Sequence, residues 1–322
     1  MSPITGGADF SISDTGTLVY APGSVRTPGR RVVSIDRSGR SHTLIENPRL
    51  FTAPRLSPDG RYLAFQIQGA NDNVWVYELQ RRTLTRMTAK GQNAAPVWAP
   101  DSRELTFSSD RSGAWNLFRR SADGSGEATP LATSEYTQIP GSWSPDGSVL
   151  AFAESASAQT GADIWVLSVE GSGTPELFLQ TQANERWPAF SPDGRWIAYT
   201  SDESGRDEIY LRRYQGASEK RQVSAEGGTF PVWNPDGREL FYRNGDKMMV
   251  ASVEAEGELV LGNPTMLYER PFTPSYIATY SVTPDGQRFI DLEDADTEPG
   301  PTELVLVQNW FQELERLVPT NN

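Results

Sequence analysis

The chemistry open to this chain is restricted by two residue counts: it holds no Cys and one His, His42, among 322 residues. Thiolate nucleophiles, disulfides and Cys-based metal sites are therefore excluded. His42 lies in Ser41-His42-Thr43-Leu44, which is typical of an exposed outer strand, so we do not expect it to act as a general base. The chain also contains no Gly-x-Ser-x-Gly nucleophile elbow, phosphate-binding loop or zinc motif. We predict that it is not an enzyme.

Carboxylates supply the main alternative chemistry. The densest acidic stretch spans 291–298, where Asp294, Asp296 and Glu298 alternate and offer the hard oxygen ligands that Ca²⁺ prefers. The Pro-Gly pair that follows departs from a helix-flanked calcium loop. We expect a solvated loop and no cofactor, and a calcium site at these three carboxylates is the alternative. With such a site, the chain would be a calcium-dependent hydrolase or lyase that uses channel carboxylates.

The elements that would position such groups follow from an internal repeat. The turn Ser-Pro-Asp-Gly, followed by Leu/Ile-Ala and an aromatic residue, occurs at 57–65, 144–152 and 191–199, and divergent copies occur elsewhere. This order of residues favours a type I turn followed by a left-handed residue. Ser102 replaces Gly in one copy, so we expect a strained turn there. The last turn positions are residues 16, 60, 102, 147, 194, 237 and 286.

Each repeat contains four short runs rich in β-branched and aromatic residues. Four strands at a period of 42–49 residues are typical of a β-propeller. We therefore predict an all-β fold, a single seven-bladed β-propeller of four-stranded antiparallel blades over residues 1–322. Residues 2–6 are expected to pair with the last blade and close the ring, and 309–319 to form a short helix or an outer strand. The blades are expected near 9–50, 51–92, 93–137, 138–183, 184–227, 228–275 and 276–318.

The innermost strand of each blade has a size pattern. The residue five positions before the turn Gly is usually small, as at Ser142 and Ala189, and Arg55 breaks the series. The residue four positions before it is nearly always large, as at Trp98 and Trp143. Because neighbouring side chains on a strand point to opposite faces, we expect large and small residues to interdigitate between adjacent blades.

These repeats resemble the TolB-type β-propeller repeat, whose mark is the Ser-Pro-Asp-Gly turn followed by Leu/Ile-Ala-Phe/Tyr. The resemblance covers all seven units, whereas TolB has six blades. The opening at 10–20 and the end at 309–314 are most similar to the C-terminal propellers of bacterial receptor-type serine/threonine kinases. The resemblance implies a sensor or scaffold domain that binds without catalysis. A similar propeller gates a group of serine peptidases, which gives a third interpretation.

We expect the binding face where the B–C and D–A loops meet, naming the strands of a blade A to D from the channel outward. The B–C loops at 201–208 and 291–303 carry net charges of −3 and −6, within a chain of net charge −13. This predicts an acidic rim that attracts cationic ligands. An alternative is that the aromatic candidates pack beneath neighbouring loops and the arginines are counter-ions of carboxylates. The candidate binding residues are Arg55, Asn93, Gln138, Glu185, Arg186, Trp187, Asp202, Glu203, Phe230 and Tyr276.

The net negative charge disfavours nucleic acid and acidic membrane surfaces as partners. We expect a protein or peptide, or a small polar or cationic ligand, and the resemblance implies a kinase domain in the full-length protein. No apolar run approaches the length of a membrane span, so direct membrane insertion is not predicted. The start lacks the basic and apolar regions of a signal peptide. This predicts a cytosolic chain or one that begins after its targeting segment, whereas the resemblance implies an extracytoplasmic or periplasmic location.

Overall fold

A computed structural model describes residues 10–20, 29–157, 161–169, 173–216, 219–255, 258–272, 280–295 and 304–317. These residues form 28 β-strands and one α-helix, which confirms the predicted all-β class. No helix within these ranges is long and apolar enough to cross a membrane. The chain divides into two compact units, with residues 1–30 and 294–322 in unit 1 and residues 31–293 in unit 2.

Unit 1 contains a three-stranded antiparallel sheet and the helix. The central strand β2 pairs with β1 on one side and with β28 on the other. The first turn copy joins β1 to β2, and the backbone amide of Trp310 donates to the carbonyl of Gly16 in that turn (2.7 Å). The helix begins at this contact, as expected for the C-terminal segment. The elements are β1 (Phe10–Ile12), β2 (Leu18–Tyr20), β28 (Val305–Val307) and α1 (Trp310–Leu317).

Unit 2 contains six antiparallel sheets, which we call blades. Five are built from consecutive strands and one, the shared blade, combines strands from both ends of the unit. The shared blade has the order β26-β27-β3-β4, with β3 (Arg30–Asp36), β4 (Ser41–Arg49), β26 (Ser281–Val282) and β27 (Arg288–Asp294). Blade 2 consists of β5 (Phe51–Leu56), β6 (Tyr62–Ile67), β7 (Asn73–Glu78) and β8 (Thr83–Arg86). Blade 3 consists of β9 (Asn93–Trp98), β10 (Glu104–Ser109), β11 (Asn116–Ser121) and β12 (Thr129–Ala132).

The remaining three blades follow in chain order. Blade 4 consists of β13 (Thr137–Trp143), β14 (Val149–Ser157), β15 (Gly161–Ser168) and β16 (Glu176–Leu179). Blade 5 consists of β17 (Glu185–Phe190), β18 (Trp196–Ser201), β19 (Glu208–Arg213) and β20 (Lys220–Gln222). Blade 6 consists of β21 (Thr229–Trp233), β22 (Glu239–Asn244), β23 (Lys247–Glu254), β24 (Val260–Leu261) and β25 (Thr265–Glu269), and both β24 and β25 pair with β23.

The innermost strands of unit 2 contact one another in a closed series. Strand β5 contacts β9, and the contacts continue through β13, β17, β21 and β26 back to β5. The blades of unit 2 therefore form a ring around a channel, which is the propeller arrangement. The shared blade closes this ring, because β3 and β4 extend the sheet begun by β26 and β27 and pair backbone groups that an edge strand leaves open.

The seven antiparallel sheets of the two units agree in number with the seven predicted blades. The strands at the two ends of the chain are grouped differently from the prediction. Of the strands expected in a first blade at 9–50, β1 and β2 belong to the sheet of unit 1, and β3 and β4 belong to the shared blade. Of those expected at 276–318, β28 belongs to the sheet of unit 1, and β26 and β27 belong to the shared blade. The bidentate ion pair of Arg37 with Glu239 (2.6 and 2.8 Å) holds the β3–β4 hairpin against blade 6. The predicted closing segment, residues 2–6, lies outside the described residues.

The turns have the geometry that the motif predicts. The Ser57 hydroxyl donates to Asp59 (2.5 Å), and the amide of Gly60 donates to the Ser57 carbonyl (2.8 Å). Gly60 has a φ of +72°, which Gly adopts without a Cβ penalty. Ser102 stands at the equivalent position with a φ of +60°, so the expectation of strain in that turn is confirmed.

Large residues of the innermost strands fill the spaces between blades. Trp98, Trp143, Phe190 and Trp233 are all buried. The indole nitrogen of Trp98 donates to the carbonyl of Arg55 (2.9 Å), and that of Trp233 donates to the carbonyl of Ala189 (3.0 Å). In both cases the acceptor lies in the preceding blade, five positions before the Gly that ends its turn. The expected interdigitation therefore also supplies hydrogen bonds that join adjacent blades.

Candidate functional site

The channel of unit 2 contains a cavity of about 300 Å³ lined by residues from all six innermost strands. The positions five before each turn Gly take part in its wall, and the wall is mostly apolar. Arg55 is the one charged residue among the described residues that line the cavity. The six equivalent positions are Arg55, Val97, Ser142, Ala189, Val232 and Ser281.

Four innermost strands contain a backbone bulge seven positions before the turn Gly. In each, a residue other than Gly is left-handed and directly precedes Pro, and the pairing with the next strand shifts register there. A left-handed conformation costs a residue with a Cβ about 1–2 kcal/mol. This Xaa-Pro pair at a fixed distance from the turn is a signal that the sequence-based prediction overlooked. The bulge residues are Ala53 (φ 50°), Ala95 (52°), Trp187 (54°) and Phe230 (57°).

Two of these bulges carry large aromatic rings, and the rings touch. The centroids of Trp187 and Phe230 are 4.1 Å apart, and the guanidinium of Arg186 lies 4.7 Å from the indole centroid. Arg186 also donates to Asp207 (2.5 Å), so it has the carboxylate partner that the alternative interpretation expected. Phe230 is buried, whereas Trp187 is half-buried and lines the channel. We call Arg186, Trp187 and Phe230 the mouth cluster.

Three other predicted binding residues are buried and hold loops in place. Asn93 donates to carbonyls of its own loop, Gln138 donates to Glu154 (2.8 Å), and Glu185 accepts from the Thr181 hydroxyl (2.5 Å). Their side chains are no more than 1% exposed. Because these side chains point into the blades, the structure assigns them to positioning the D–A loops and not to a contact surface.

Glu185 has an unusual environment for a carboxyl group. Burial raises its pKa to about 7, and the hydrogen bond from Thr181 opposes that rise. The second carboxyl oxygen, Oε2, has no hydrogen-bond partner among the described residues. A fraction of Glu185 is therefore protonated at neutral pH, next in sequence to the mouth cluster.

Most described carboxylates of the predicted acidic rim have hydrogen-bond or ion-pair partners, whereas residues 296–303 of the same rim lie outside the described residues, so the acidic rim stays a prediction. Asp202 accepts from the backbone and side-chain nitrogens of Asn184 (2.8 and 2.7 Å), and Glu203 pairs with Lys220 (2.7 Å). Counting charge by loop missed this, because most of the basic partners lie on strands or on other loops. Further rim pairs are Asp207 with Arg186, Glu208 with Arg206, Asp291 with Arg243 and Glu293 with Arg270.

The candidate calcium ligands are only partly described. Asp294 forms an ion pair with Arg30 (3.2 Å), while Asp296 and Glu298 lie outside the described residues, as does the candidate binding residue Tyr276. Within the part of the chain that the structure describes, no group of three or more His, Asp or Glu side chains is placed to hold a metal ion.

Arg55 contacts the wall of the channel through its guanidinium. Its Nη1 donates to the carbonyl of Tyr280 (3.1 Å) and, at 3.4 Å, to that of Pro54. Burial lowers the pKa of Arg55 to about 10, so the side chain is still protonated at neutral pH. The described candidates thus fall into three sets, the mouth cluster, the channel residue Arg55 and the buried or paired loop residues.

A closed ring of antiparallel blades, with one repeated turn per innermost strand and a lined channel, defines a β-propeller. The chain belongs to the TolB beta propeller domain family (PD40), whose model matches residues 24–154 and 125–299. This confirms the TolB-like part of the predicted resemblance.

The chain is similar in sequence to three relatives whose names differ in kind. It is 27% identical over 251 residues to an uncharacterized protein of Agrobacterium fabrum, covering 74% of this chain and 78% of that one. It is 27% identical over 209 residues to the uncharacterized peptidase YuxL of Bacillus subtilis (50% and 32%). It is 25% identical over 227 residues to the Tol-Pal system protein TolB of Francisella tularensis (68% and 52%). The match thus spans about a third of the peptidase and half of this TolB.

Solved structures show the same fold. A TolB-like protein from Agrobacterium tumefaciens superposes with a TM-score of 0.67 at 20% identity, covering 84% of this chain and all of that one. TolB from Acinetobacter baumannii superposes with a TM-score of 0.56 at 15% identity, covering 85% and 65%. At these identities the likeness concerns the propeller fold alone.

Proposed function

We propose that this chain is a non-catalytic binding module that recognises a protein segment or a small ligand at the face formed by the B–C and D–A loops. The observation that carries the proposal is the mouth cluster. Its two aromatic residues occupy left-handed bulge positions that Ala53 and Ala95 occupy in other blades. Because Ala meets the backbone requirement there, the rings serve a purpose beyond the bulge itself.

The mouth cluster has the composition and rigidity of a recognition site. Trp and Arg are enriched among residues that dominate binding energy, and aromatic rings lose little entropy when a ligand arrives. Trp187 is held between Arg186 on one side and Phe230 on the other, and Asp207 fixes Arg186 in turn. A site ordered before binding avoids part of the entropy cost of association.

The finer proposal is a sensor or scaffold role. The ends of the chain resemble the propellers of bacterial receptor kinases, and one relative is a protein of the Tol-Pal system. In the kinase case, the propeller would report ligand binding from outside the cytoplasm. The native coding sequence tests this proposal. A kinase domain and a membrane span upstream support the sensor role, whereas an adjoining serine hydrolase domain supports the gating propeller of a peptidase.

Selection from a random peptide library on the immobilised full chain tests the binding site. We expect enriched peptides to bind the wild-type chain and to lose at least about tenfold in affinity on Trp187→Ala. Leu177→Ala is the matched control, because Leu177 is an exposed apolar residue on an outer strand of blade 4. Selected peptides that bind Trp187→Ala as tightly as wild type would contradict the proposed site.

Calorimetric titration with Ca²⁺ addresses the enzymatic alternative, a calcium-dependent hydrolase or lyase. The binding proposal expects no heat of specific binding at sub-millimolar Ca²⁺. Sub-millimolar binding that Asp294→Asn removes would favour the alternative over the proposal.

A further inference from the structure

We infer that two cavities between blades of unit 2 each bind a neutral sugar residue. One cavity lies between blades 2 and 3 and has a volume of about 590 Å³, and the other lies between blades 5 and 6 and has a volume of about 760 Å³. Both are lined by the turns that follow the innermost strands, at the opposite ends of these strands from the D–A loops. The inference therefore goes beyond the proposed function, which concerns the face of the B–C and D–A loops.

The two cavities repeat one arrangement of side chains. In each, the last turn position of one blade is followed by Arg and an aromatic residue, and that of the next blade is followed by Arg. In the sequence, none of the other four interfaces between blades has this combination. The two interfaces are three steps apart in a ring of six, so the cavities lie on opposite sides of the channel. The residues are Arg61, Tyr62 and Arg103 in the first cavity and Arg195, Trp196 and Arg238 in the second.

Each cavity also carries exposed carboxylates that can accept hydrogen bonds from a ligand. In the first cavity, donors of the chain bind Oδ1 of Asp59, Asp101 and Asp123, and no donor among the described residues binds Oδ2. Asp236 has the same arrangement in the second cavity. One carboxylate oxygen of each residue is therefore open to a bound molecule.

The arginines supply the complementary donors. Arg103 and Arg238 are exposed, and their guanidinium groups have no hydrogen bond or ion pair with any residue in the described part of the chain. An anionic ligand would meet the carboxylates, and a cationic ligand would meet the guanidinium groups. A hydroxyl group donates to a carboxylate and accepts from a guanidinium, so a neutral ligand with several hydroxyl groups matches both.

Aromatic residues indicate that this ligand contains a ring. Tyr62 is half-buried in the wall of the first cavity, and its ring centroid lies 6.1 Å from that of Trp98. Trp196 and Trp233, which are largely buried, form part of the wall of the second cavity. A sugar ring has hydroxyl groups at its edge and C–H groups on its faces, and the C–H groups pack against the negative face of an aromatic ring. A pyranose ring therefore matches both the charged and the aromatic parts of each wall.

Titration of the full chain with methyl pyranosides tests the inference. The neutral probes are the methyl glycosides of glucose, galactose and mannose, and the charged controls are the uronate and the amino sugar of the same three series. Indole N–H signals in the magnetic resonance spectrum of isotope-labelled protein report the two cavities separately, because Trp98 contacts Tyr62 and Trp233 lines the second cavity. We expect at least one neutral glycoside to shift both signals, with saturation in the millimolar range, and its charged counterparts to bind more weakly.

Two outcomes of this titration would overturn the inference. The first is the lack of a saturable shift with any of the three neutral glycosides. The second is a uronate or an amino sugar that binds at least as tightly as the neutral glycoside of its series, because the cavities would then select a charge. The titration uses the wild-type chain, so it does not depend on the folding of a variant.

Two substitutions assign binding to the cavities, and each is the control for the other. Arg103→Met is expected to weaken binding reported by Trp98 by at least about tenfold and to leave binding reported by Trp233 unchanged. Arg238→Met is expected to have the reverse effect. Both variants are expected to fold, since neither guanidinium bonds to another residue that the structure describes. Shifts that persist unchanged in both folded variants would contradict the assignment.

Discussion

The indole of Trp187 lies against the phenyl ring of Phe230, with centroids 4.1 Å apart and planes inclined by 43°. Both residues are left-handed and both precede Pro, so the contact joins the bulges of two adjacent innermost strands. The mouth of the channel is therefore shaped on this side by backbone geometry and ring packing together. Under the proposed function, a ligand would meet a surface that is already ordered.

A double-mutant cycle measures this contact. Phe230→Ala is expected to lower the free energy of unfolding by about 3 kcal/mol, since Phe230 is buried, and Trp187→Ala by about 1–2 kcal/mol, since Trp187 is half-buried. The two changes are expected to couple by about 0.5–1.5 kcal/mol, as stacked aromatic pairs do. Denaturant unfolding of the two single variants and the double variant provides the values. Additive effects would show that the ring contact contributes nothing beyond burial.

The turns offer a matched pair of substitutions. Gly147→Ser is expected to destabilise the chain by about 1–2 kcal/mol, because a left-handed Ser is strained and the nearest atom to an added Cβ, in Pro100, is at an ordinary 3.7 Å. Ser102→Gly is expected to change stability by less than about 1 kcal/mol. Relief of strain is offset there by unfolded-chain entropy and by the lost hydrogen bond from Asp59 (3.2 Å). Urea unfolding checks both, and a neutral Gly147→Ser would argue against strain at this turn.

The raised pKa of Glu185 predicts that the stability of the chain depends on pH. Its pKa is raised by burial to about 7 from an ordinary 4.5, so between these values the folded chain binds a proton that the unfolded chain has lost. Its contribution to stability is thus complete below pH 4.5 and is lost as the pH rises through 7. Glu185→Gln, which stays neutral, is expected to gain about 2–3 kcal/mol relative to wild type between pH 5 and pH 8. Thermal unfolding at the two pH values measures the difference. A constant difference would mean that Glu185 titrates normally.

A buried ion pair between Arg243 and Asp291 predicts strongly non-additive mutations. Arg243 lies among the rings of Tyr268, Phe272 and Tyr280, at 5.2–5.8 Å from their centroids. Arg243→Met is expected to cost about 3–5 kcal/mol, because it leaves the Asp291 carboxylate buried without its partner. Burial already raises the pKa of Asp291, and Arg243 opposes that rise.

The double variant Arg243→Met with Asp291→Leu is expected to recover most of this loss, since two apolar side chains then replace two charges. Chemical denaturation of the wild-type chain and of these two variants decides the point. A double variant as unstable as Arg243→Met would show that the pair is needed for something other than charge compensation.

Local chemistry made the fold predictable to a large extent. The Ser-Pro-Asp-Gly turns, the left-handed Ser102 and the large residues that fill the spaces between blades all follow from preferences of a few neighbouring residues. The bulges were equally local, because each is a residue before Pro at a fixed distance from the turn. The size pattern of the innermost strand does not reveal them, because it concerns the positions four and five before the turn Gly and the bulges lie seven positions before it.

The candidate site was less predictable, because burial and pairing depend on residues far apart in the chain. One position of the repeat, two residues before the bulge position that Trp187 occupies, is buried in three blades. The residues there are Asn93, Gln138 and Glu185, and their side chains point into the blades. Glu203 counts as an exposed charge in its loop until Lys220, 17 residues away, pairs with it. Neither the burial of these side chains nor the pairing of charges can be inferred from composition and spacing.

The amino-acid order alone was sufficient to define the repeating unit, its tight turn and its four strands, because each depends on side chains within a few residues of one another. The pairing of the chain ends depended on the assembled molecule. Strand β3 pairs with β27, more than 200 residues away, because an open sheet edge lowers its free energy by hydrogen bonding to any strand that the ring brings close. In the sequence, Arg55 is only an exception to a series of small residues. The same long-range closure brings the six innermost strands together around a channel and places Arg55 in its wall.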